Sequence, residues 1–377
     1  MGTFHVDEPL FIAFLVFLLS FVIQMAYLWF IHGKLAFYRK KQSAANREPI
    51  SVILNMNDEF EKLQVVLPVL LEQDYPDYEV VLVIQTLNDD LVEYLDRITS
   101  KYPQVKIVEM LQNLNFFKGN KFAISIGIKS ARNDILVFTE AGCRPLSSSW
   151  LSEMQSCFSS GKEVVLAYHN LAPDRGDIAS SLIRFANFQS GLKYLSHALA
   201  GDPYMGMGKN LAYRKSLFYR HQGFISHYQI EDGADDLFVN RVATERNVAI
   251  SVHPDSRVVC DQPYSFGQWF RLRKKYFRTR HYYKPRHRFY QNFFSITQFI
   301  FLASFVGLVS IQYLLYYTLA MFGIRLFSQL FIYKKCMNQL NESKLLLFSP
   351  LHEVILMVLD GFLRLTLIFD KKDKWKT

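Results

Sequence analysis

Residues 10 to 31 form a run of 22 without one acidic or basic side chain. As a helix rising 1.5 Å per residue, such a run spans a hydrocarbon core of roughly 30 Å. Everything else in the chain must therefore be placed around a membrane segment. A secretory signal would carry positive charge ahead of the apolar run and a small-residue cleavage site behind it. Here Asp7 and Glu8 precede the run, and Tyr27, Trp29 and Phe30 close it, so residues 1–34 are expected to be an uncleaved anchor. The basic flank Lys34, Arg39, Lys40 and Lys41 follows the run. By the positive-inside rule the N-terminus lies outside and the following domain in the cytoplasm, as in an integral protein of the plasma (inner) membrane. The four cysteines, Cys143, Cys157, Cys260 and Cys336, form no CxxC pair or zinc knuckle. They read as reduced thiols, in agreement with a cytoplasmic domain.

Two further apolar stretches lie near the C-terminus. Residues 293–332 contain one charge, Arg325, over 40 positions, a length that suits two closely spaced helices within 293–334, broken around 307–312. Residues 345–369 are also apolar but carry His352, Glu353, Asp360 and Arg364. Those four favour a helix at the interface or packed in a small bundle over a clean span.

The net charge of +9 is just as local. Between Asp261 and Glu342 there is no acidic residue, and Arg271, Arg273, Lys274, Lys275, Arg278, Arg280, Lys284, Arg286 and Arg288 supply nine positive charges. Aromatic residues, among them Trp269, Phe270, Tyr276 and Phe277, are interleaved with them. A basic, aromatic stretch over 262–292 that leads into an apolar block implies a helix lying on anionic lipid headgroups, with a merely solvated anchor flank as the plain alternative. No nucleic-acid-binding fold is evident, so nucleic acid is not the expected partner. Three or four apolar segments, divided by a domain of more than 200 residues, are too few and too scattered for a transport path.

Between the apolar segments, residues 48–261 alternate short β-branched runs with helical ones. Strands are expected at 50–54, 79–84, 105–108 and 135–138, and helices at 59–72, 91–101 and 118–131. Successive βα units imply a mostly parallel sheet covered on both faces, with ligands bound beyond the carboxyl ends of the strands. The residues that follow the strands carry polar chemistry: Asn55 and Asn57, then Gln85, Asn88, Asp89 and Asp90, then Glu140. Farther along come Gly208-Lys209-Asn210 and Glu231-Asp232-Gly233-Ala234-Asp235-Asp236. Taken singly, acidic residues at a helix start are ordinary capping and dipole partners.

Their order is more specific. The runs Gln73-Asp74-Tyr75-Pro76-Asp77-Tyr78-Glu79, Lys118-Gly119-Asn120-Lys121, Thr139-Glu140-Ala141-Gly142-Cys143-Arg144-Pro145, Gly206-Met207-Gly208-Lys209-Asn210 and Gly233-Ala234-Asp235-Asp236-Leu237 follow one another before Trp269 and a membrane-associated C-terminus. This ordered set, covering roughly 49–283, resembles the family 2 glycosyltransferases. The resemblance implies a GT-A fold, a Rossmann-like nucleotide-diphospho-sugar transferase domain, flanked by transmembrane or interfacial helices. It implies a nucleotide-sugar donor, a divalent cation (Mg²⁺ or Mn²⁺), and inverting transfer of one sugar to a lipid-linked or cell-envelope glycan acceptor. By position, Asn55, Asn57 and Gln85 would surround the nucleotide, Lys121 would lie near the donor, and Glu140 would hold the metal. Gly208, Lys209 and Asn210 would line the acceptor side, and Asp235, with Asp236 beside it, would supply the general base. Arg271, Arg273, Lys274 and Lys275 would lie near the membrane and the diphosphate.

Four elements depart from the family pattern. Gln85 replaces an acidic residue, Gly142 replaces the second carboxylate of the Asp-x-Asp metal motif, Ala234 replaces the acidic neighbour of Asp235, and Leu272 and Lys275 fall where many members have Gln-x-x-Arg-Trp. Processive polymerisation is therefore not expected. Two readings remain open: an enzyme with a weakened metal site, or a catalytically degenerate relative that acts as a scaffold or regulator of glycan or envelope assembly.

Overall fold

The computed structural model describes residues 8–40, 47–56, 60–85, 88–110, 119–159, 161–172, 176–260 and 265–369. The chain divides into two compact units, residues 39–283 and, from the two ends together, residues 1–38 with 284–377.

The first unit is an α/β domain. Its main sheet has seven strands in the order β3-β2-β1-β4-β8-β6-β9: β1 (Ile50–Met56), β2 (Tyr78–Ile84), β3 (Val105–Glu109), β4 (Ile135–Glu140), β6 (Val164–Ala167), β8 (Leu211–Arg214) and β9 (Val248–Ser251). The strands β3, β2, β1 and β4 are mutually parallel, and β8 runs antiparallel to β4 and β6. β1 and β2 are Val-, Ile- and Leu-rich, with Ile50, Val52, Leu54, Val80, Leu82 and Val83 fully buried. Such runs form strands because both faces of a parallel sheet are covered, and each aliphatic side chain so buried contributes roughly 1.5–3 kcal/mol. β1 leads to β2 on one side and pairs with β4 on the other. The polarity of the sheet order therefore reverses at β1/β4, the place where α/β sheets open a crevice beyond their carboxyl ends. The Gln73–Tyr75 motif is structural: Gln73 donates to the Ser147 carbonyl (3.1 Å) and accepts from Leu151 N (3.3 Å), which ties the β1–β2 connection to the segment after β4.

A second, three-stranded sheet in the order β5-β10-β7 is built from β5 (Cys143–Pro145), β7 (His169–Leu171) and β10 (Val258–Cys260). It corrects the cysteine reading. β5 and β10 are antiparallel with Cys143 opposite Cys260, their Cα atoms lie 4.1 Å apart, and the two are joined by a disulfide. Cys157 and Cys336 are free and buried. The cysteines thus no longer argue for a reducing compartment.

The second unit is helical. Helix Glu8–Ala36, with a π-helical turn at Tyr27–His32, and helices Pro285–Ser310 and Leu315–Leu340 are each long and apolar enough to cross a membrane. Residues between the last two turn tightly, with Gln312 and Leu314 at positive φ. Phe17 stacks on Phe301 at 5.1 Å, and Gln24 donates to Thr297 (3.0 Å). Leu19, Phe30, Val306 and Phe327 are more than 60% exposed, an apolar surface suited to lipid rather than water. Helix Ser349–Phe369 faces its polar residues inward: Glu353 accepts from Gln329 (2.7 Å), Tyr333 (3.1 Å) and Arg325 (3.3 Å). Ionisable groups among apolar helices are held in this way, paired and turned from lipid.

Candidate active site

The crevice at β1/β4 gathers the first set of sequence-marked residues. Asn55 stands opposite Glu140 in the β1/β4 register, and Gln85, just past the end of β2, donates from Nε2 to Asn55 Oδ1 at 3.0 Å. Gln85 and Asn55 thus touch at the carboxyl edge of the sheet, with Glu140 beside Asn55 in the next strand. Asn57 lies outside the described residues. Asn88, Asp89 and Asp90 serve the helix Asp89–Lys101: Asn88 Oδ1 caps Leu91 N (2.8 Å), and the two aspartates occupy the first turn, where negative charge suits the helix dipole.

Lys121 does not reach into the crevice. It is fully buried, and its ammonium donates to the carbonyls of Ile230 and Asp232. Burial brings its pKa down to about 8 against the opposing pull of Asp232, Asp236, Asp235 and Glu231. Gly119, at φ +70°, packs so closely on the same segment that a Cβ would stand 2.0 Å from the Glu231 carbonyl oxygen. The Gly119–Lys121 motif is therefore a clamp on the acidic loop, and glycine is required there because both the backbone angle and the space exclude a side chain.

The clamped loop presents two carboxylates with different surroundings. Asp235 accepts from Gly208 N and from Asp236 N, each at 2.8 Å. Each oxygen of an ionised carboxylate keeps further acceptor capacity beyond these bonds, and the side chain is half-buried. Asp236 is 1% exposed, and its Oδ2 accepts from Thr279 (2.6 Å) and Tyr283 (2.7 Å). Both carboxyls are pushed above their ordinary value, first by burial. For Asp236 the neighbouring Asp235 charge adds to the rise, and the two hydroxyls work against it.

The Gly208–Asn210 turn divides among three tasks. Gly208 holds Asp235. Asn210 is fully buried, donates to the carbonyls of Tyr168 and Ser256 (2.8 Å each) and accepts from Trp150 (3.2 Å). It serves the core rather than an acceptor. Lys209, between them, brings its ammonium to 3.9 Å from the Glu140 carboxylate.

Lys209 also lines a cavity of about 90 Å³. Its lining includes His169, Met205, Met207, Lys209, Trp269 and Arg273. His169 was not marked by the sequence. It is 3% exposed, burial and the Lys209 charge depress its pKa well below the usual imidazole value, and its Nδ1 has no hydrogen-bond partner among the described residues. A lone histidine in a three-residue strand has no neighbouring pattern that could have revealed it.

The helix Phe266–Thr279, started by a capping box of Ser265 and Gln268, splits the basic set. Arg273 lies over the Trp269 ring (5.5 Å) and the Phe277 ring (5.7 Å), and Lys275 approaches Asp232 (3.5 Å). Lys274 is half-buried, and Arg271 is exposed.

The model of glycosyl transferase family 21 matches residues 12–367. The chain belongs to glycosyl transferase family 21. This family 21 chain is a glycosyltransferase with a GT-A-like α/β fold; the motif order had suggested family 2, and the match places it in family 21. Among solved structures it is similar to the mannosyltransferase PcManGT from Pyrobaculum calidifontis, in complex with GDP-Man and Mn²⁺, at 18% identity and TM-score 0.58, over 92% of this chain and 98% of that one. Two structures of S. aureus TarS also align. One matches at 16% identity and TM-score 0.42 over 60% of this chain and 39% of that one. The other, TarS 1-349, matches at 14% and 0.43 over 87% and 93%. No curated protein sequence matches.

The motif order leads to the expectation of a divalent cation at Glu140. Among the described residues, no three His, Cys, Asp or Glu side chains converge on a point that could hold a metal ion. Gly142 brings no carboxylate, and Glu140 has the Lys209 ammonium as a charged neighbour. Mg²⁺ or Mn²⁺ beside a diphosphate needs only one or two protein carboxylates, the donor phosphates and water supplying the other oxygens, and Glu140 is the carboxylate of the expected motif that this chain keeps.

Proposed function

We propose that this family 21 glycosyltransferase transfers one sugar, with inversion, from a nucleotide-sugar donor to a membrane-proximal acceptor, a lipid-linked or envelope-glycan hydroxyl. The observation that carries this reading is the 208–210 turn, which touches Asp235 on one side and Glu140 on the other. A donor in the β1/β4 crevice would rest its nucleotide on Asn55 and Gln85. An acceptor hydroxyl presented to Asp235 would lose its proton to that carboxylate as its oxygen bonds to the anomeric carbon and the bond to the nucleoside diphosphate breaks. A base pushed upward by burial is suited to that step, since it holds the abstracted proton more firmly than an exposed aspartate.

The cavity under Trp269 and Arg273 suits the acceptor's apolar and anionic parts. The exposed basic residues of 271–288 suit anionic headgroups, which would keep the domain at the surface its acceptor occupies. We assign the domain to the cytoplasmic side of the inner membrane. The basic flank Lys34, Arg39, Lys40 and Lys41 supports that orientation, and Lys40 of that flank is paired with Glu153 (2.6 Å).

The test is thermal unfolding of the detergent-solubilised full chain with UDP-, GDP- and dTDP-sugars. A donor present at a hundred times its Kd should add about 2.7 kcal/mol, seen as a Tm rise of several degrees for one nucleotide and little for the others. If none of the three shifts the transition, the catalytic reading gives way to the scaffold reading.

A further inference from the structure

The helix Phe266–Thr279 and the 3₁₀ turn Arg280–Tyr282 that follows it lead into Tyr283, and this segment grips the acidic loop at three points. Lys275 brings its ammonium to 3.5 Å from the Asp232 carboxylate, and Thr279 and Tyr283 donate to Asp236 Oδ2 at 2.6 and 2.7 Å. Spacing by four sets Lys275 and Thr279 on one side of the helix, with Tyr283 just beyond its end. Asp236 is 1% exposed, so the two hydroxyl contacts are sealed from water. They also reach the carboxylate next door, because Asp236 N donates to Asp235 at 2.8 Å while Gly208 N holds its other oxygen. Displacing residues 275–283 therefore displaces Asp235.

The same segment turns a different surface outward. Trp269, Phe277 and Thr279 are buried, whereas Arg271 and Arg278 are exposed. Seven residues apart on a helix of 3.6 residues per turn, the two arginines share the outer face. Tyr282, in the turn that follows, is 57% exposed and has the amphipathic ring that suits the headgroup level of a bilayer. The helix Pro285–Ser310, long and apolar enough to cross a membrane, begins two residues after Tyr283, so chain connectivity alone keeps the segment near a lipid surface. With no acidic residue between Asp261 and Glu342, the outer face is complementary to anionic headgroups, each basic residue strengthening association roughly fivefold.

We propose that residues 266–283 are a latch between the bilayer and the acidic loop: anionic headgroups taken by the arginine face fix the helix, and the helix fixes the loop that carries Asp235. On an anionic membrane the loop is held in place, and on a neutral one it opens more often. The catalytic meaning of this coupling rests on the reading of Asp235 as the base; the coupling itself does not.

The test is hydrogen–deuterium exchange of the full chain in bilayer nanodiscs of phosphatidylcholine, alone or with one third phosphatidylglycerol, followed peptide by peptide by mass spectrometry. No sugar donor is needed, so the outcome is separate from the nucleotide-binding test above. Phosphatidylglycerol should slow exchange over residues 268–280 and, by about threefold or more, over residues 231–238. With Thr279→Val and Tyr283→Phe combined, the helix should keep its lipid response while the loop loses most of its own. Tyr283→Phe alone, which keeps the ring, should reduce the loop response in the same direction, and Thr279→Ser, which keeps the hydroxyl, should preserve it. Arg271→Glu with Arg278→Glu, both at exposed positions, should abolish the response of helix and loop together. The inference is overturned if the helix slows without the loop, if the loop response survives loss of both hydroxyls, or if neither segment responds to phosphatidylglycerol. Failure of every nucleotide to bind would remove the role of Asp235 as a base and leave the lipid coupling to be judged by these exchange rates alone.

Discussion

The bond from Tyr283 to Asp236 offers a perturbation whose size and pH dependence both follow from the structure. Tyr283→Phe deletes one hydroxyl and keeps the ring, so packing is preserved and the loss is confined to a 2.7 Å hydrogen bond onto a buried carboxylate. A hydrogen bond to a charged acceptor is worth about 1.5–3 kcal/mol, and one to a neutral acceptor about 0.5–1.5. Thr279 remains on the same oxygen at 2.6 Å, so the acceptor is weakened rather than abandoned, and a figure of about 2 kcal/mol with Asp236 ionised is reasonable. For a domain of this size that amounts to roughly 4–8 °C in Tm.

The sign with pH follows from Asp236 being raised above its ordinary carboxyl value by burial and by Asp235. A group raised on folding contributes stability that is fully present below the unfolded value near 4 and is lost as pH rises through the folded value. The Tyr283 hydroxyl is one of the groups holding that value down, so its removal pushes Asp236 higher still and steepens the loss. The Tm deficit of Tyr283→Phe should therefore be small near pH 4 and grow towards pH 8. Unfolding scans of the solubilised protein by intrinsic fluorescence across that range measure it. A deficit independent of pH, or none at all, would refute the account of Asp236 as a buried carboxylate held by two hydroxyls.

Three further outcomes are expected. Asp235→Asn should lower kcat by about 10²- to 10⁴-fold with donor affinity nearly unchanged, read by titrating the nucleotide sugar alongside transfer assays. Gly119→Ala forces a side chain to φ +70° and towards the Glu231 carbonyl, so it should cost about 2–4 kcal/mol and reduce transfer together with stability, because the loop it displaces carries Asp235. In the helical unit, Arg325→Leu leaves Glu353 buried without its cation and should destabilise by about 3–5 kcal/mol, whereas the double change with Glu353→Leu should recover most of that loss; unfolding midpoints in detergent compare the two.

Much of the α/β domain could be read from local pattern. The expected strand at 50–54 is β1 at Ile50–Met56, the one at 135–138 is β4 at Ile135–Glu140, and the helix at 59–72 is Phe60–Leu71; each is a run long enough for its burial to dictate its form. The small sheet escaped because β5, β7 and β10 are three residues each, too short for any period to register. The cysteine reading failed for a related reason: Cys143 and Cys260 are 117 residues apart, and only the antiparallel register of two such short strands brings them together. Lys121 is expected near the donor because a lysine after a glycine turn looks available from sequence alone; its hold on the carbonyls of Ile230 and Asp232 is long-range and has no signature in the sequence.

The departures from the family pattern change meaning once long-range partners are seen. Ala234 reads as the loss of an acidic neighbour for Asp235, yet Asp236 supplies a carboxylate on the other side, with protons donated from Thr279 and Tyr283 more than forty residues away. Gly142 reads as the loss of half a metal site, yet Lys209 brings a positive charge to the remaining carboxylate. At Glu140 the remaining carboxylate has a cation beside it, and at Asp236 two hydroxyl donors hold a buried carboxylate that still stands next to Asp235. A motif scanned along the chain can register only the missing carboxylates. The compensating groups lie on segments that become neighbours through the β4/β8 pairing and the helix after β10, so a strict motif match underestimates what this site can hold.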